Sequence, residues 1–317
     1  MLGQPVVAFS RADSSSASAL TRPLGLADYL PLAKPGITAL ITLVAVAGFL
    51  LADPLSVNLV RLGLLVVAGA SASAGAAMLN HYLDRDIDRR MKRTRGRPLA
   101  DDRVVSGASV ALVGLVLLGG GIAAATLVLN PLTGFSIFLG GLTYVVVYTL
   151  WLKRRSHWNI VIGGFAGSAP ALAGSAAALG TWTPGVLAFA LLVFLWTPPH
   201  FWSLAILLKD DFARAKLPML PRMGDVGYSG KVVVVSAALL IPAALLLGWT
   251  GAVAWPVLVV LAALGAAFVA VTLPLWRTAT PRTARRGFVF SGPYLLFVIL
   301  AIAANVALVR VGVPGGF

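Results

Sequence analysis

The sequence contains no cysteine and no glutamate, and only 11% of its 317 residues are charged. The absence of cysteine excludes disulfides, iron–sulfur clusters, thiolate metal sites and cysteine nucleophiles. Soluble proteins are roughly 25% charged and about 45–50% apolar, whereas 59% of this chain is hydrophobic. One globule of this size cannot bury such an apolar excess, and the composition therefore indicates an integral membrane protein.

The basic residues outnumber the acidic residues, 25 to 11, which gives a net charge of +14. A protein that binds nucleic acid would display such charge on the surface of a soluble fold. Here the lysines and arginines fall in short segments between apolar runs, as in the loops that orient a membrane protein. We therefore expect no nucleic-acid partner.

Apolar runs long enough to cross a bilayer recur along the chain from residue 36 onward. A helix needs about 20 apolar residues to cross about 30 Å of hydrocarbon, and a helix satisfies its own backbone hydrogen bonds in lipid. We predict an all-α integral membrane protein with nine transmembrane helices in a single bundle, at about residues 36–53, 57–80, 104–127, 132–152, 159–179, 185–207, 232–249, 252–276 and 288–310. Residues 28–317 form this transmembrane domain, and the Ser-rich residues 1–27 are predicted to be a disordered cytoplasmic tail.

Basic residues alternate from loop to loop. The loops at 81–103, 153–158, 208–231 and 277–287 contain eight, three, five and four lysines and arginines, and the loops between them contain almost none. Loops rich in lysine and arginine stay in the cytoplasm. We therefore predict a multi-pass protein of the inner cell membrane, with a cytoplasmic N-terminus and a polar site on its cytoplasmic side.

Three polar residues end the second predicted span at intervals of four. Asn80, Asp84 and Asp88 therefore lie on one helix face, whereas Asp86 points to the opposite side and is expected to pair with an arginine. Two carboxylates on one face suit Mg²⁺, which is typically bound by one or two carboxylates and by substrate phosphates. The arginines of the following loop suit phosphate oxygens. The alternative is a solvated loop whose aspartates pair with neighbouring arginines.

Two weaker motifs lie near the same predicted face. Asp210 and Asp211 follow the sixth span, but adjacent residues do not share a helix face, so only one of them is expected to bind a metal directly. Lys153 and Arg154 directly follow the fourth span. They would either bind diphosphate or anchor the end of the helix through their charge.

His200 lies inside the sixth predicted span, in the segment that runs from Trp196 to Trp202. A histidine in a membrane segment is costly unless it faces a cavity or a partner. It would either line a substrate chamber below the metal site or form a hydrogen bond within the bundle.

These motifs resemble the UbiA superfamily of intramembrane prenyltransferases, and most closely its haem O synthase (protohaem IX farnesyltransferase) family. The pattern of Asn80, Asp84 and Asp88 with Arg93 to Leu99 is similar to the first aspartate-rich motif of the superfamily. The resemblance to haem O synthases lies in Tyr29 to Pro35, Tyr148 to Gly164, Thr197 to Trp202, Asp210, Asp211 and Pro218 to Pro221. Quinone-type members usually carry a second pair of aspartates four apart, whereas here Arg214 stands four residues after Asp210.

The resemblance implies an enzyme that transfers a farnesyl group from farnesyl diphosphate to a vinyl group of haem B, with Mg²⁺ as cofactor and haem A synthase as a candidate partner. It implies catalytic roles for Asn80, Asp84 and Asp88, metal binding by Asp84, Asp88, Asp210 and Asp211, diphosphate binding by Arg93, Arg97, Lys153, Arg154 and Lys209, and a haem contact for His200. The alternatives are a prenyltransferase acting on a quinone precursor or another aromatic acceptor and, more remotely, a membrane transporter.

Overall fold

The computed structural model describes residues 29–100, 106–220 and 226–315. Within these ranges the chain is largely helical and forms no β-strand, apart from one isolated bridge between Ala254 and Gly315. The predicted tail at residues 1–27 and its boundary with the transmembrane domain lie outside the described residues.

Nine helices in this part of the chain are long and apolar enough to cross a bilayer, which confirms the predicted fold class. We number them as spans one to nine: Pro35–Ala52, Leu59–Leu83, Gly107–Leu129, Pro131–Arg154, Asn159–Leu179, Pro184–Leu207, Val226–Trp249, Trp255–Arg277 and Pro281–Arg310. Two short helices, Arg85–Arg90 and Lys209–Arg214, follow spans two and six.

The starts of the spans follow from their local sequence. Spans two, three, four, six and nine are preceded by Asn58, Ser106, Asn130, Thr183 and Thr280, and each of these side chains accepts a hydrogen bond from a backbone N–H of the first turn. Proline occupies the first turn of spans one, four, six, eight and nine. Its missing N–H breaks no helical hydrogen bond at that position.

Several spans depart from regular α-helix. Span four changes to a π-helix at Thr143–Trp151 and then ends in one 3₁₀ turn. Span five is interrupted at Gly164, and span seven at Leu239, three residues before a proline. Wide π-helical turns occur frequently at functional sites because they reorient side chains. The end of span four is therefore a candidate site position on backbone grounds alone.

Small residues let the helices approach closely. Span one packs along span five and span two along span three. A Cβ atom built on Gly174 would lie 2.1 Å from the carbonyl oxygen of Ala45, and one built on Gly48 would lie 2.3 Å from that of Ala171. Such interfaces of small residues are typical of membrane helices. Large apolar side chains such as Leu127 point outward and are exposed, as a surface solvated by lipid requires.

The basic loops of the described chain meet at one end of the bundle, which we call the charged end. Lys34, just before span one, bonds to Asn80 near the end of span two. Asp211, after span six, accepts hydrogen bonds from the loop after span two. Gly230, near the start of span seven, packs on the backbone of Leu275 near the end of span eight. Both acidic clusters therefore lie at the same end of the bundle.

We expect Gly174→Val to lower the free energy of unfolding by about 1–3 kcal/mol or more, because the added atoms overpack the interface with span one. Gly120→Val is the matched control, since nothing lies within 4 Å of a Cβ at Gly120. Thermal unfolding of both variants in detergent measures the difference. Equal unfolding temperatures for the two variants would contradict the packing described here.

Candidate active site

The three polar residues at the end of span two form a buried ladder. Span two ends at Leu83, but helical hydrogen bonds continue past it, with Asp84 N–H 2.9 Å from the carbonyl oxygen of Asn80 and Asp88 N–H 2.8 Å from that of Asp84. All three side chains are buried, and Asp84 is 0% exposed. The structure thus places Asn80, Asp84 and Asp88 on one face, as their spacing predicts.

Asp84 is held by a lysine and an amide. Lys153 Nζ lies 2.5 Å from Asp84 Oδ2, and Asn80 Nδ2 donates to the same oxygen at 2.8 Å. Asn80 Nδ2 also donates to the Thr149 hydroxyl at 3.0 Å, which fixes the orientation of the amide. The other oxygen, Asp84 Oδ1, is buried and has no hydrogen-bond partner. A buried acceptor without a partner is costly, so this oxygen is positioned for a ligand.

Lys34, which the sequence motifs do not single out, belongs to the same cluster. Its Nζ donates to Asn80 Oδ1 at 2.6 Å and to the Tyr144 hydroxyl at 3.1 Å. Its backbone is left-handed, with φ 48°, a conformation that costs a non-glycine residue about 1–2 kcal/mol. Burial lowers the pKa of Lys34 to about 7, and the nearby charges of Arg97 and Lys153 act in the same direction. A lysine just before a proline-initiated first span was the available signal.

The π-helical turn of span four brings two tyrosines and a threonine to this cluster. Thr149 Oγ1 donates to the carbonyl oxygen of Tyr144, five residues earlier, at 2.8 Å. The rings of Tyr144 and Tyr148 stack with centroids 6.1 Å apart. The wider turn therefore allows Tyr144 to reach Lys34 while Thr149 reaches Asn80. Hydropathy does not reveal this local geometry.

The loop after span two folds back over Asp88. Arg97 Nη1 donates to both carboxylate oxygens of Asp88, at 2.8 and 3.0 Å, and the Thr94 hydroxyl donates to the carbonyl oxygen of Asp88 at 3.1 Å. Burial and the neighbouring charge of Arg97 lower the pKa of Arg93, while Asp88 and Asp211 oppose that shift. Arg93 and Arg97 thus lie beside the acidic ladder, where a diphosphate group would need them.

Asp211 supports this loop from the other side. Its carboxylate accepts the backbone N–H groups of Lys92 and Arg93 at 3.2 and 3.1 Å and pairs with Arg214. Asp210 and Lys209 are exposed on the short helix after span six, and no described contact joins either of them to the ladder. The predicted metal role of Asp210 and Asp211 and the diphosphate role of Lys209 stay predictions.

Arg154 points away from the ladder. It forms a bidentate pair with Asp86, with distances of 2.7 and 2.8 Å, and also donates to the carbonyl oxygen of Leu83 at 2.8 Å. The hydrogen bond from Arg154 lowers the pKa of Asp86. Asp86 therefore pairs with an arginine, as its position predicts, and the diphosphate role of Arg154 stays a prediction.

The ladder fits one magnesium ion better than a larger metal cluster. In the described chain no three acidic or histidine side chains lie close enough together to bind one ion. Asp84 and Asp88 are one helical turn apart, and Asp84 Oδ1 is buried without a partner. When a substrate provides phosphate oxygens, the protein usually contributes only one or two carboxylate ligands to Mg²⁺.

An apolar chamber of about 270 Å³ lies below the ladder. Residues from spans one to six line it, including Lys34, Tyr144 and Tyr148 at the charged end and His200 on span six. Many of the other lining residues are alanine and glycine, which leave room between the helices. The chamber therefore connects the polar cluster at the charged end to an apolar space within the bundle.

His200 lines this chamber and also has a partner in the bundle. Its Nδ1 lies 2.6 Å from the Ser291 hydroxyl oxygen, and its ring stacks on Trp196 with centroids 4.6 Å apart. Trp196 Nε1 donates to the carbonyl oxygen of Ser291 at 2.9 Å. Both interpretations of this histidine hold in part, because one ring nitrogen is engaged while the side chain faces the chamber. Its contact with haem stays a prediction.

The chain is similar to known proteins in both its sequence and its fold. The profile of the UbiA prenyltransferase family matches residues 40–308. Protoheme IX farnesyltransferases from Metallosphaera sedula and Sulfurisphaera tokodaii are 42% identical over 277 residues and 38% identical over 281 residues. These alignments cover 86% and 87% of this chain, and 94% and 92% of those proteins.

Solved structures of low sequence identity share the fold. A structure of digeranylgeranylglyceryl phosphate synthase has a TM-score of 0.73 at 17% identity and covers 89% of this chain and 98% of that one. A UbiA homologue from Archaeoglobus fulgidus bound to GPP and Mg²⁺ has a TM-score of 0.66 at 15% identity, with coverages of 87% and 99%. At these identities the likeness establishes the nine-helix architecture and nothing finer.

We expect Lys153→Met to lower the free energy of unfolding by about 3 kcal/mol, because it leaves Asp84 buried without its ion-pair partner. Asp86→Asn is the control, since it breaks an exposed pair worth at most about 1 kcal/mol. Chemical denaturation of the two variants in detergent provides the measurement. A larger loss for Asp86→Asn than for Lys153→Met would show that the buried pair is not the one that supports the fold.

Proposed function

The chain belongs to the UbiA prenyltransferase family, and from that premise we propose that it transfers a farnesyl group from farnesyl diphosphate to a vinyl group of haem B, which produces haem O. The observation that carries the proposal is the buried ladder of Asn80, Asp84 and Asp88 at the mouth of an apolar chamber. Relatives named protoheme IX farnesyltransferase, which match most of this chain, support haem as the acceptor over a quinone precursor.

Asp84 and Asp88 would bind Mg²⁺. Asp210 or Asp211 would join them as a further ligand only after a movement toward the ladder, because Asp211 accepts the backbone N–H groups of Lys92 and Arg93 in this structure. When bound, the ion supplies positive charge to the diphosphate and so stabilises it as a leaving group. The homologue from Archaeoglobus fulgidus is bound to GPP and Mg²⁺, which supports a metal-dependent prenyl transfer. The unpartnered Asp84 Oδ1 is the atom of this chain that such an ion would satisfy.

The cations around the ladder bind the diphosphate and stabilise the charge that develops on it. Lys34 and Lys153 approach from spans one and four, and Arg93 and Arg97 approach from the loop after span two. When the allylic C–O bond breaks, its electron pair passes to the diphosphate oxygen. Fixed positive groups in a site that excludes water are most effective at that moment. Lys209 and Arg154 would act further out, during capture of the diphosphate.

The acceptor then attacks the farnesyl carbon. The π electrons of a haem vinyl group form the new C–C bond, and water adds to the resulting cation next to the pyrrole ring and loses a proton. The product carries a hydroxyethylfarnesyl group, and diphosphate is released. The apolar chamber holds the farnesyl tail and keeps water from the allylic cation before the vinyl group attacks. His200 and Trp196, which stack on each other in the chamber wall, would contact the aromatic macrocycle.

The protein is a multi-pass membrane protein, and we place it in the inner cell membrane with its N-terminus and charged end in the cytoplasm. The segregation of basic loops to one end supports this orientation. Haem A synthase would be the partner that receives haem O. A transporter is not favoured, because the charged residues lie at one edge of the bundle and not at its midplane.

We expect purified protein in lipid nanodiscs to convert farnesyl diphosphate and haem B to a farnesylated haem, which is detected by its mass. No product should form when Mg²⁺ is omitted.

Asp84→Ala should lower turnover by at least about 100-fold, because the negative charge that develops on the leaving group is then no longer stabilised. Asp53→Ala, at the opposite end of the bundle, is the matched control and should retain activity. Product formed only with an aromatic acid acceptor would refute the haem assignment, and near-normal turnover by Asp84→Ala would refute the metal–diphosphate account.

We expect the KM for farnesyl diphosphate to rise as the pH increases from about 6 to about 8. Below its pKa of about 7, Lys34 is protonated and attracts the diphosphate, whereas above it the amine is neutral. Lys34→Arg keeps its charge throughout this range, so the KM of that variant should vary less with pH. Because the ionisation of the diphosphate is common to both proteins, parallel pH profiles would exclude Lys34 as the source of the dependence.

A further inference from the structure

A second groove opens at the charged end, outside the acidic ladder and the apolar chamber. Its volume is about 610 Å³, within the range of about 300–1,000 Å³ that is typical of small-molecule sites. The segment that joins spans four and five contributes Arg155 and His157 to its wall. The short helix after span six and the turn that follows contribute Lys209 and Lys216.

The groove is lined by basic side chains and by no acidic one. In the part of the chain that the structure describes, no carboxylate pairs with Arg155, Lys209 or Lys216. Asp211, on the same short helix as Lys209, is engaged by the loop after span two and by Arg214. Among the described residues, the basic side chains of the groove therefore have no anionic partner, which favours a ligand with more than one negative charge.

The floor of the groove is apolar and is shared with the chamber. Phe212 and Met219 line the groove, and they pack in one hydrophobic cluster with Tyr148 and Phe201, which line the chamber. One packed cluster therefore forms a wall of both spaces. The ligand that fits the groove combines an anionic edge with an apolar body that lies against this cluster, on the side next to the chamber.

The backbone at Lys216 is fixed in an unfavourable conformation. Its φ is 55°, a left-handed value that glycine adopts more easily than lysine. Two backbone hydrogen bonds hold the turn, from Lys216 N–H to Ala213 and from Leu217 N–H to Phe212, each 3.0 Å long. These two bonds form a Schellman motif, a common helix end with a left-handed residue, and it places Lys216 in the wall of the groove.

We propose that the groove binds the two propionate carboxylates of the haem acceptor. The inference rests on the proposed function for the identity of the acceptor. Haem carries its carboxylates on one edge and its vinyl groups on the opposite edge. A groove that binds the carboxylates at the charged end therefore turns a vinyl edge toward the chamber, where the farnesyl carbon reacts. This assignment gives Lys209 a role in binding the acceptor.

The test compares haem B with its dimethyl ester, in which both carboxylates are blocked. Dissociation constants are measured from haem absorbance with the full-length protein in nanodiscs of neutral phospholipid. We expect the wild type to bind the ester at least about tenfold more weakly than haem B, since one hydrogen bond to a charged group is worth about that factor. Arg155→Gln combined with Lys209→Gln should weaken haem B binding to the same extent and leave ester binding unchanged.

Arg285→Gln is the matched control, because it removes an exposed positive charge at the charged end and Arg285 does not line the groove. Equal affinities of the wild type for haem B and the ester would overturn the proposal. A loss of haem B affinity in Arg285→Gln as large as that in the double variant would also overturn it.

A second experiment uses nanodiscs that contain phosphatidylglycerol. If the double variant loses bound phosphatidylglycerol while its affinity for haem B is unchanged, the groove is a lipid phosphate site and the proposal is wrong. Product formation is assayed separately, so a failure of the farnesyl transfer does not alter the binding result.

Discussion

Two carboxylates buried at the edge of a membrane bundle impose the central constraint on this structure. A buried charge without a partner is very costly, and removal of one partner of a buried pair is strongly destabilising. Asp84 therefore requires Lys153 from span four, and Asp88 requires Arg97 from the loop that follows. Asn80 orients Asp84 and is itself bound by Lys34 from the first span. The need to neutralise this ladder fixes how three spans meet at the charged end.

In the proposed mechanism, the same groups serve the chemistry. The cations that neutralise the ladder in this structure are those that a diphosphate needs, so the site is preorganised and the side chains are already desolvated when substrate arrives. Preorganised charge stabilises a transition state without a reorganisation cost. The two acidic clusters divide the work, since the first faces the chamber and Asp211 supports the arginine loop by accepting its backbone N–H groups. A carboxylate can thus lie next to an active site and act on it through the backbone.

The sequence was sufficient for the features that depend on local pattern. Apolar run length and the alternation of basic loops predicted nine spans, and spacing by four predicted the face shared by Asn80, Asp84 and Asp88. Spans seven and nine begin six and seven residues earlier than expected, at Val226 and Pro281, because these helices continue through basic residues that hydropathy places in loops. The site residue Lys34 and the support given by Asp211 arise from contacts between distant segments, which one sequence does not specify.

Lys34 also ties the site to the membrane itself. It directly precedes span one, whose 18 residues give a helix about 27 Å long at about 1.5 Å per residue, slightly shorter than a typical hydrocarbon layer of about 30 Å. A short helix responds to bilayer thickness through its tilt or through local thinning of the lipid. A change in tilt moves the end of the helix that carries the ammonium group. In the proposed mechanism, the acyl-chain length of the surrounding lipid would therefore shift one of the cations that bind the diphosphate.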